Sequence, residues 1–425
     1  MLIAVKNFLI DEILREPAIF LGLIAACGLI LQRKPFSDTV GGVLKTMLGV
    51  VILSQGSGIL VSAIVPLQGA FAKLYNVPET QNIVANHAAF LAEYGNVFGT
   101  VMLLSFLINV LVARFTPIKH IFLTGHMLFW FPFIFSAAGV GMGLQGTSLI
   151  AFATFWTALY MVVAPALIKP FVKRVTGDDS FTLGHPTIGL SIVAGLVGMA
   201  LGNRKKSTED IQFPASLDFL REITVTSAIV MFFIYVVVGF LVGGETAKAV
   251  FNTQKSIFTF SVMQALTFGC GLTILLLGVR MMLAEIIPAF KGIADRWIPN
   301  AIPALDCPIL FPYAPNAVLI GFIVSMLVST AMLIYMGSQG LLQFAILPLA
   351  ITCFFEIGTA AVIANGTGGL RGAVLGSAVA GAMMIGLMII SIPVFKTTIA
   401  DWLLIFGGND FSLWGWIAVK LGALF

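Results

Sequence analysis

The scarcity of charged side chains constrains this chain more than any other feature of its sequence. Of its 425 residues, 23 are Lys or Arg and 19 are Asp or Glu, whereas 59% are apolar. A soluble domain carries about 25% charged residues, so the 10% found here is too little to cover a soluble surface of this size. We therefore predict an integral membrane protein. The net charge of +4 is small and spread along the chain, which leaves no basic patch for nucleic acid.

Apolar stretches recur along the whole sequence. A transmembrane helix needs about 20 apolar residues, and Gly-rich 359–393 is longer than one span requires. The candidate stretches are 17–31, 40–65, 97–113, 121–140, 147–168, 187–202, 223–243, 257–279, 316–336, 341–355, 359–393 and 398–420. The sequence therefore predicts an all-α polytopic membrane protein with about ten to twelve membrane segments.

Two remaining features concern the N-terminus and the cysteines. The opening MLIAVKNFLIDEILREP is amphipathic and has no small-residue cleavage site, which indicates an interfacial helix rather than a signal peptide.

The four cysteines stand singly, so we expect buried thiols and neither a zinc site nor a redox pair. No phosphate-binding loop of the GxxxxGK type is present. We expect no metal and no other cofactor.

Two basic runs suggest a segment that enters the membrane and returns. KPFVKR at 169–174 and NRKK at 203–206 flank residues 176–202. The positive-inside rule favours the cytoplasm for both runs, and one complete span would separate them. We therefore predict a re-entrant hairpin at 176–202, with an ordinary short span as the alternative. The Gly-rich segment 356–374 is a second re-entrant candidate.

Residues 40–115 and 257–336 form a candidate internal repeat. Gly56 to Pro66 aligns with Gly278 to Pro288 at an offset of 222, and Asn96 aligns with Asn316 at an offset of 220. Each unit contains an apolar helix, a proline, a polar excursion and a new helix. Two such repeats are typical of transporters, in which the substrate site lies between them near the midplane. Chance similarity between apolar segments is the alternative.

A few ionisable side chains stand within the membrane segments or their breaks. They are His126 in LTGHMLFW, His185 in TLGHP, Asp306 in PALDCP and Glu356 in FFEIGTA. Ionisable groups at membrane depth are costly and usually functional. Under the repeat offset, Asp306 corresponds to Asn86, with His87 beside it. We therefore expect the two polar excursions to line one pocket from two sides.

Each candidate also has a structural interpretation. His126 can bond a neighbouring carbonyl and His185 can cap a turn, whereas Asp306 can pair with a lysine or arginine. Glu356 can pair with one of two arginines, Arg371 or Arg280. His120 stands at a segment end and is expected to be a solvated interfacial residue rather than a site residue.

At these same residues the sequence resembles a known family. The segments that carry the resemblance are GGVLKTMLGVVILSQGSGIL (41–60), IFLTGHMLF (121–129), GVRMMLAEIIPAFKGIADRWIPNAIPALDCP (278–308) and FPYAPNAVLIGF (311–322). They resemble the ascorbate-type membrane component, EIIC, of the bacterial phosphoenolpyruvate-dependent phosphotransferase system, in the ascorbate/galactitol superfamily. The resemblance runs from about residue 15 to 410. It implies about eleven transmembrane helices with re-entrant hairpins, and a homodimer in the bacterial inner membrane. It also implies a scaffold against which a substrate-binding core moves.

The resemblance further implies uptake of L-ascorbate, or of a related small sugar or sugar acid, coupled to phosphorylation by a cytoplasmic EIIB protein. EIIB would in turn be charged by EIIA. The sequence ends at Phe425, after its last apolar segment, so we expect EIIA and EIIB on other polypeptides. The alternatives are a phosphotransferase permease for a different pentose, hexitol or sugar acid, and a proton-coupled secondary transporter that uses Asp306 or Glu356.

Carried over residue by residue, the resemblance places His126, His185 and Asp306 in the substrate site. Asp306 is the candidate catalytic base, because a carboxylate can accept the proton of the hydroxyl that is phosphorylated. Asn86 and His87 fall where family members offer a hydroxyl and a Tyr.

Three positions depart from the ascorbate pattern. Trp130 stands where ascorbate members have Gln, and Pro186 stands where they have a second Gln. Asn365 is followed by Gly366 where they have His. Trp130 and Asn365 are still expected at the substrate site. Since a site that loses hydrogen-bonding groups loses discrimination, the resemblance is stronger evidence for the fold than for ascorbate.

Overall fold

The computed structural model describes residues 16–75, 87–211, 219, 222–342, 346 and 349–422. Residues 1–15, for which an interfacial helix is predicted, and Asn86 lie outside this part of the chain. The described residues are mainly helical, as predicted for an all-α polytopic membrane protein.

The helices are joined by short strands and single helical turns. In chain order the helices are α1 (Pro17–Leu31), α2 (Phe36–Tyr75), α3 (His87–Phe115), α4 (Gly125–Gly141), α5 (Gly146–Thr176), α6 (Ile188–Leu201), α7 (Ile223–Val242), α8 (Gly244–Val250), α9 (Ile257–Trp297), α10 (Pro315–Ser338), α11 (Gly358–Phe395), α12 (Ala400–Phe406) and α13 (Asp410–Gly422). The strands are β1 (His120–Phe122), β2 (Thr182–Leu183) and β3 (Ile302–Leu305). Helical turns of 3₁₀ type cover Thr208–Asp210 and Cys307–Tyr313, and a π-helical segment, Cys353–Ile357, leads into α11.

Seven helices in the described part of the chain are long and apolar enough to cross a bilayer. They cover Phe36–Leu74, Glu93–Phe115, Gly146–Thr176, Thr224–Val242, Ile257–Met282, Pro315–Ser338 and Ala350–Phe395. The apolar helices α4 and α6 are shorter, and the 14 residues of α6 extend only about 21 Å at 1.5 Å per residue. The predicted eleven helices and two repeats stay predictions.

Helices α2 and α9 form a long, closely packed pair. They contain 40 and 41 residues, and each carries an internal proline, Pro66 or Pro288. A methyl group added to Gly49, Gly56 or Gly271 would collide with backbone atoms of the facing helix. Small residues permit this close approach of helices in a membrane. The pair therefore packs backbone against backbone.

Broken helices occupy a second region, which we call the hairpin core and define as α4, α6, α11, α13 and the three strands. Gly369 has φ of 61° and interrupts α11, in a conformation that favours glycine. Beside this break, the Asn203 N–H donates to the Gly368 carbonyl and the Leu370 N–H donates to the Lys206 carbonyl, both at 2.7 Å. The residues that follow the predicted re-entrant segment 176–202 therefore meet the helix break inside the second predicted segment, 356–374. That both segments are re-entrant remains a prediction.

The three strands form a small parallel sheet that the sequence reading did not include. Strand β3 is central, with β1 on one side and β2 on the other. Phe122 and Thr182 both pair with Ala304. The paired segments are only two to four residues long, which is too short for the alternating pattern that reveals a strand in a sequence.

Asn109 on α3 holds strand β1 in place. Its amide donates to the His120 carbonyl at 3.1 Å and its side-chain oxygen accepts from the Phe122 N–H at 2.9 Å. The side chain of His120 is 8% exposed, so the expectation that it is solvated was wrong. Because β1 pairs with β3, His120 lies inside the protein although it stands at the end of an apolar segment. Hydropathy alone does not reveal this pairing.

Candidate functional site

Three predicted site residues meet at one edge of the parallel sheet. His126 lies just after β1, His185 just after β2, and Asp306 directly after β3. Because parallel strands end at the same edge of a sheet, residues that follow them come together, and such edges are common ligand sites. About 60 residues separate His126 from His185 and about 120 separate His185 from Asp306, yet the three converge on one point.

The Asp306 carboxylate lies between two imidazoles. Its Oδ1 is 3.5 Å from His185 Nε2, and its Oδ2 is 3.8 Å from His126 Nδ1. Both distances exceed the usual hydrogen-bond range of about 2.7–3.2 Å. The Cys307 N–H donates to Asp306 Oδ1 at 2.7 Å and fixes the orientation of the carboxylate. The three side chains therefore converge and keep capacity for a further partner.

A cavity of about 80 Å³, measured for the centres of water molecules, opens beside these residues. One water needs about 10–15 Å³ on this measure, so the space fits a small organic molecule. Its ionisable lining residues are His126, His185, Asp306 and Glu356, and its aromatic lining residues are Trp130, Phe355, Trp402, Phe406 and Phe411. Mainly apolar walls with a few convergent polar groups are typical of small-molecule sites.

Glu356 faces this cavity from the π-helical segment before α11. π-helical turns are rare and are often found at functional sites. One carboxylate oxygen of Glu356 accepts from the Asn409 amide at 3.0 Å, and the other is buried without a partner among the described residues. The partner is thus an amide, where the sequence suggested Arg371 or Arg280. The second oxygen remains available to a ligand.

A buried pair supports the turn that carries His185. The Tyr160 hydroxyl lies 2.7 Å from Asp410 Oδ2 and 3.0 Å from the His185 carbonyl oxygen. The other Asp410 oxygen accepts from the Gly189 N–H at 2.9 Å. Helices α5, α6 and α13 are thereby tied together behind the site. The sequence reading missed Asp410, although it is an ionisable residue in the apolar stretch 398–420 and the same rule applies to it.

Trp130 lies where the sequence analysis expected it, at the cavity wall. Its ring centroid is 4.9 Å from that of Trp402, with a tilt of 36° between the planes. Trp402 is also 4.9 Å from Phe406, which continues the aromatic wall. Nothing in the local pattern of 398–406 distinguishes Trp402 from an ordinary membrane aromatic, so the sequence reading missed it.

The other predicted site residues are not among those that line the cavity. Nδ1 of His87 is 2.6 Å from Asp401 Oδ2, next to Trp402 in the chain. Asn365 lies near the break in α11, where its Oδ1 accepts from the Thr208 N–H at 3.0 Å. Asn86 lies outside the described residues. The structure therefore brings His126, Trp130, His185 and Asp306 together and places His87 and Asn365 elsewhere.

The same three ionisable residues have the spacing of a possible metal site. One ligand atom each from His126, His185 and Asp306 lies within 4.8 Å of the others. Two histidines and a carboxylate can hold a divalent transition metal. The sequence analysis expected no metal here, so experiments on this site need a chelator control.

The basic run that follows α6 lies beside the helix break at Gly369, and the other run precedes α6 in the chain. The Arg204 guanidinium donates to the Gly366 and Thr367 carbonyls at 3.0 Å. Before α6, Lys173 in the last turn of α5 lies beside Asp179 on the following loop, and this neighbour lowers the pKa of the Asp179 carboxyl. Lys205 and Lys206 are exposed. A basic surface therefore covers the place where the two broken segments meet.

Comparison with known proteins gives two results. A family model described as "EIIC-GAT: PTS system sugar-specific permease component" matches residues 12–417. The chain is also 25% identical over 423 residues to the "Ascorbate-specific PTS system EIIC component" of Mycoplasma pneumoniae (strain ATCC 29342 / M129). That alignment covers 86% of this chain and 63% of the relative, so the chain spans less than two thirds of the relative's length.

Proposed function

This chain belongs to the EIIC-GAT family of sugar-specific permease components of phosphotransferase systems, and we propose that it carries a small sugar or sugar acid through the membrane. The observation that supports this most is the convergence of His126, His185 and Asp306 on one small cavity. The binding groups come from the ends of three paired strands in a chain with several apolar helices, which fits a transport site. The ascorbate named for the relative is one candidate substrate, and another pentose, hexitol or sugar acid is the alternative.

Asp306 is our candidate for the catalytic base. One of its oxygens is held by the Cys307 N–H, and the other faces His126 across 3.8 Å. A substrate hydroxyl between these two groups can donate its proton to the carboxylate and accept a hydrogen bond from the imidazole. As the proton passes to Asp306, the hydroxyl oxygen forms a bond to the phosphorus while the bond from that phosphorus to EIIB breaks, and EIIB leaves without its phosphoryl group. The proposed phosphoryl donor is a separate EIIB protein, itself charged by EIIA.

We propose that EIIB approaches the basic surface beside the break in α11. Arg204, Lys205 and Lys206 lie there together with the break in α11. Positive charge favours the cytoplasmic side of the bilayer and attracts a phosphorylated partner. The location in a bacterial inner membrane belongs to the same proposal.

The scaffold part of the proposal rests on the long helix pair. Leu44, Leu48 and Val51 on α2 and Leu266 and Leu277 on α9 are each about half exposed. Such faces contact lipid or a second copy of the chain. We propose that α2 and α9 belong to the scaffold of a homodimer, against which the hairpin core moves.

A proton-coupled secondary transporter is the second candidate function. The observation that favours it is the buried Glu356 oxygen that has no hydrogen-bond partner in the described part of the chain, since buried carboxyl groups serve as proton sites in transporters. Such a transporter would work without EIIB and would stop when an uncoupler removes the proton gradient.

Reconstitution tests both functions. The full chain is placed in liposomes with a chelator present, with or without phosphorylated EIIB, and internal sugar and sugar phosphate are measured. We expect accumulation of sugar phosphate only with EIIB, and no effect of an uncoupler. Asp306→Asn should lower this phosphorylation by at least about 100-fold, whereas Asp178→Asn in an exposed loop should not. Full activity of Asp306→Asn would exclude the base role.

A further inference from the structure

A second cavity lies beside the helix break in α11 and shares no lining residue with the first. It measures about 420 Å³ for the centres of water molecules. Its lining residues are Asn203, Lys206, Leu370, Arg371, Val374 and Leu375. The cavity therefore combines two cations with three apolar side chains, and no Asp or Glu is among these described lining residues.

The backbone at the break brings the two cations to one place. The Leu370 N–H donates to the Lys206 carbonyl at 2.7 Å, which fixes the loop after α6 against the residue that precedes Arg371. Both cationic side chains are exposed, and neither has an ion pair or a hydrogen bond within the described part of the chain. Arg204, by contrast, donates to two carbonyls of α11. The cavity thus has two positive charges available to a ligand.

An apolar face of α11 begins at this cavity. Val374, Leu375, Ala378 and Val379 follow Arg371 at the spacing of one helix face, and each is exposed or partly exposed. The residues between them are buried. Because this helix is long and apolar enough to cross a bilayer, an exposed apolar face on it suits contact with lipid chains. Positive charge therefore stands at one end of a surface that fits acyl chains.

We propose that this cavity binds an anionic phospholipid. The phosphate group accepts charge-assisted hydrogen bonds from Lys206 and Arg371, and the acyl chains pack along Val374 and Leu375. Basic pockets between membrane helices bind anionic head groups in this way. The positive-inside rule places the two cations, and with them the lipid, on the cytoplasmic side.

A bound lipid also has a structural consequence. Lys206 belongs to the loop after α6, whereas Arg371 belongs to α11 beyond the break at Gly369. One phosphate held by both side chains joins these two segments, in addition to the backbone hydrogen bond between Leu370 and Lys206. Ligands that bind only the folded chain stabilise it, so the lipid should raise the unfolding midpoint.

Lipids with identical acyl chains separate the charge of the head group from the contribution of the chains. The purified full chain in a neutral detergent and about 0.15 M salt, which screens charges farther apart than about 8 Å, is titrated with phosphatidylglycerol or with phosphatidylcholine. Binding is measured by native mass spectrometry and thermal unfolding. We expect phosphatidylglycerol to bind about 10-fold more tightly, since each cation near a lipid head group contributes about 5-fold. sn-Glycerol 3-phosphate, which lacks acyl chains, should not compete.

Substitution of single cations tests the place of binding. Arg371→Gln and Lys206→Gln should each weaken the binding of phosphatidylglycerol about 5-fold and reduce the rise in the unfolding midpoint. Lys205→Gln is the matched control for lipid binding, because Lys205 belongs to the same basic run but does not line the cavity. All three side chains are exposed, so the variants should fold.

Three results would each overturn the inference. Equal affinity for the two lipids would show that the cavity does not select negative charge. An equal loss of affinity in Lys205→Gln and Arg371→Gln would show diffuse attraction to the whole basic surface. Competition by sn-glycerol 3-phosphate would show a site for a soluble phosphate. The measurements need neither sugar nor EIIB, so their outcome is independent of the proposed transport function.

Discussion

The α2–α9 pair and the hairpin core meet the need for backbone hydrogen bonds in a membrane in opposite ways. The pair consists of two continuous helices of 40 and 41 residues, whose backbone groups bond within each helix except next to Pro66 and Pro288. The hairpin core contains a helix break at Gly369 and three short strands, and it needs bonds between distant segments, such as Asn203 to Gly368. Four ionisable residues, three of them buried, line the cavity beside these interrupted segments.

This difference explains why the site lies where it does. A continuous helix uses its own N–H and C=O groups and offers a ligand only side chains. Where the backbone is interrupted, strand ends and helix ends bring polar side chains such as His185 and Asp306 to one point. Interrupted backbone at membrane depth is tolerated only when protein or a cavity covers it. The two regions should therefore respond differently to small substitutions.

The largest effect is expected at the helix break in the hairpin core. Gly369→Ala adds a methyl group that collides with the carbonyl oxygens of Asn203 and Lys206, at a φ of 61° that only glycine adopts easily. We expect little folded protein by size-exclusion chromatography and no transport. Gly386→Ala in the same helix meets no atom within 4 Å and should be neutral or slightly stabilising, since Ala favours helix by about 1 kcal/mol over Gly. Equal yields of the two variants would contradict the assigned break.

A smaller effect is expected within the long helix pair. A methyl group in Gly49→Ala would lie 2.7 Å from the Met282 backbone nitrogen, so the helices must move apart. Overpacking of this kind costs about 1–3 kcal/mol. Gly58→Ala on the same helix meets nothing within 4 Å and serves as the control. Thermal unfolding in detergent measures both, and equal midpoints would show that the pair is loosely packed.

Loss of one buried hydroxyl should loosen the site without unfolding the protein. Tyr160→Phe removes the hydroxyl that lies beside Asp410 and the His185 carbonyl. A buried acceptor left unpaired costs about 1–3 kcal/mol, and we expect the lower end because Asp410 keeps its bond to the Gly189 N–H. Substrate affinity should fall along with the unfolding midpoint. Tyr335→Phe, on a side chain that is 64% exposed, should change neither quantity.

The smallest effect is expected at the exposed ion pair between Lys173, in the last turn of α5, and Asp179, in the loop between α5 and β2. Lys173 lowers the pKa of Asp179, so the pair adds stability above the ordinary Asp pKa and loses it as the pH falls through the lowered value. Because both groups are exposed, solvent screens their interaction. Lys173→Met should raise the Asp179 pKa toward its ordinary range in an NMR titration, although Lys169 at 3.8 Å still lowers it, and the unfolding midpoint should stay near that of the wild type at pH 7. A large fall in the midpoint would show that this ion pair stabilises the packing between α5 and α6.

The site residues divide by how visible they are in the sequence. His126, His185 and Asp306 could be found because ionisable residues are rare in apolar segments. Asp410 carries the same signal and was missed, whereas the contact between Trp130 and Trp402 depends on helices that are distant in the chain. Asn365 and His87 were placed by resemblance and repeat offset, and their side chains bond to Thr208 and Asp401 instead of lining the cavity.

The sequence by itself determined that the chain lies in a membrane and which ionisable residues in its apolar segments cost free energy to insert. Both follow from transfer free energies that each residue carries with it, whatever its neighbours are. Only the tertiary structure decided that β1, β2 and β3 pair side by side, and that this pairing brings two histidines and an aspartate to one cavity. Pairing of two- to four-residue strands depends on contacts across the chain, so no local pattern predicts it.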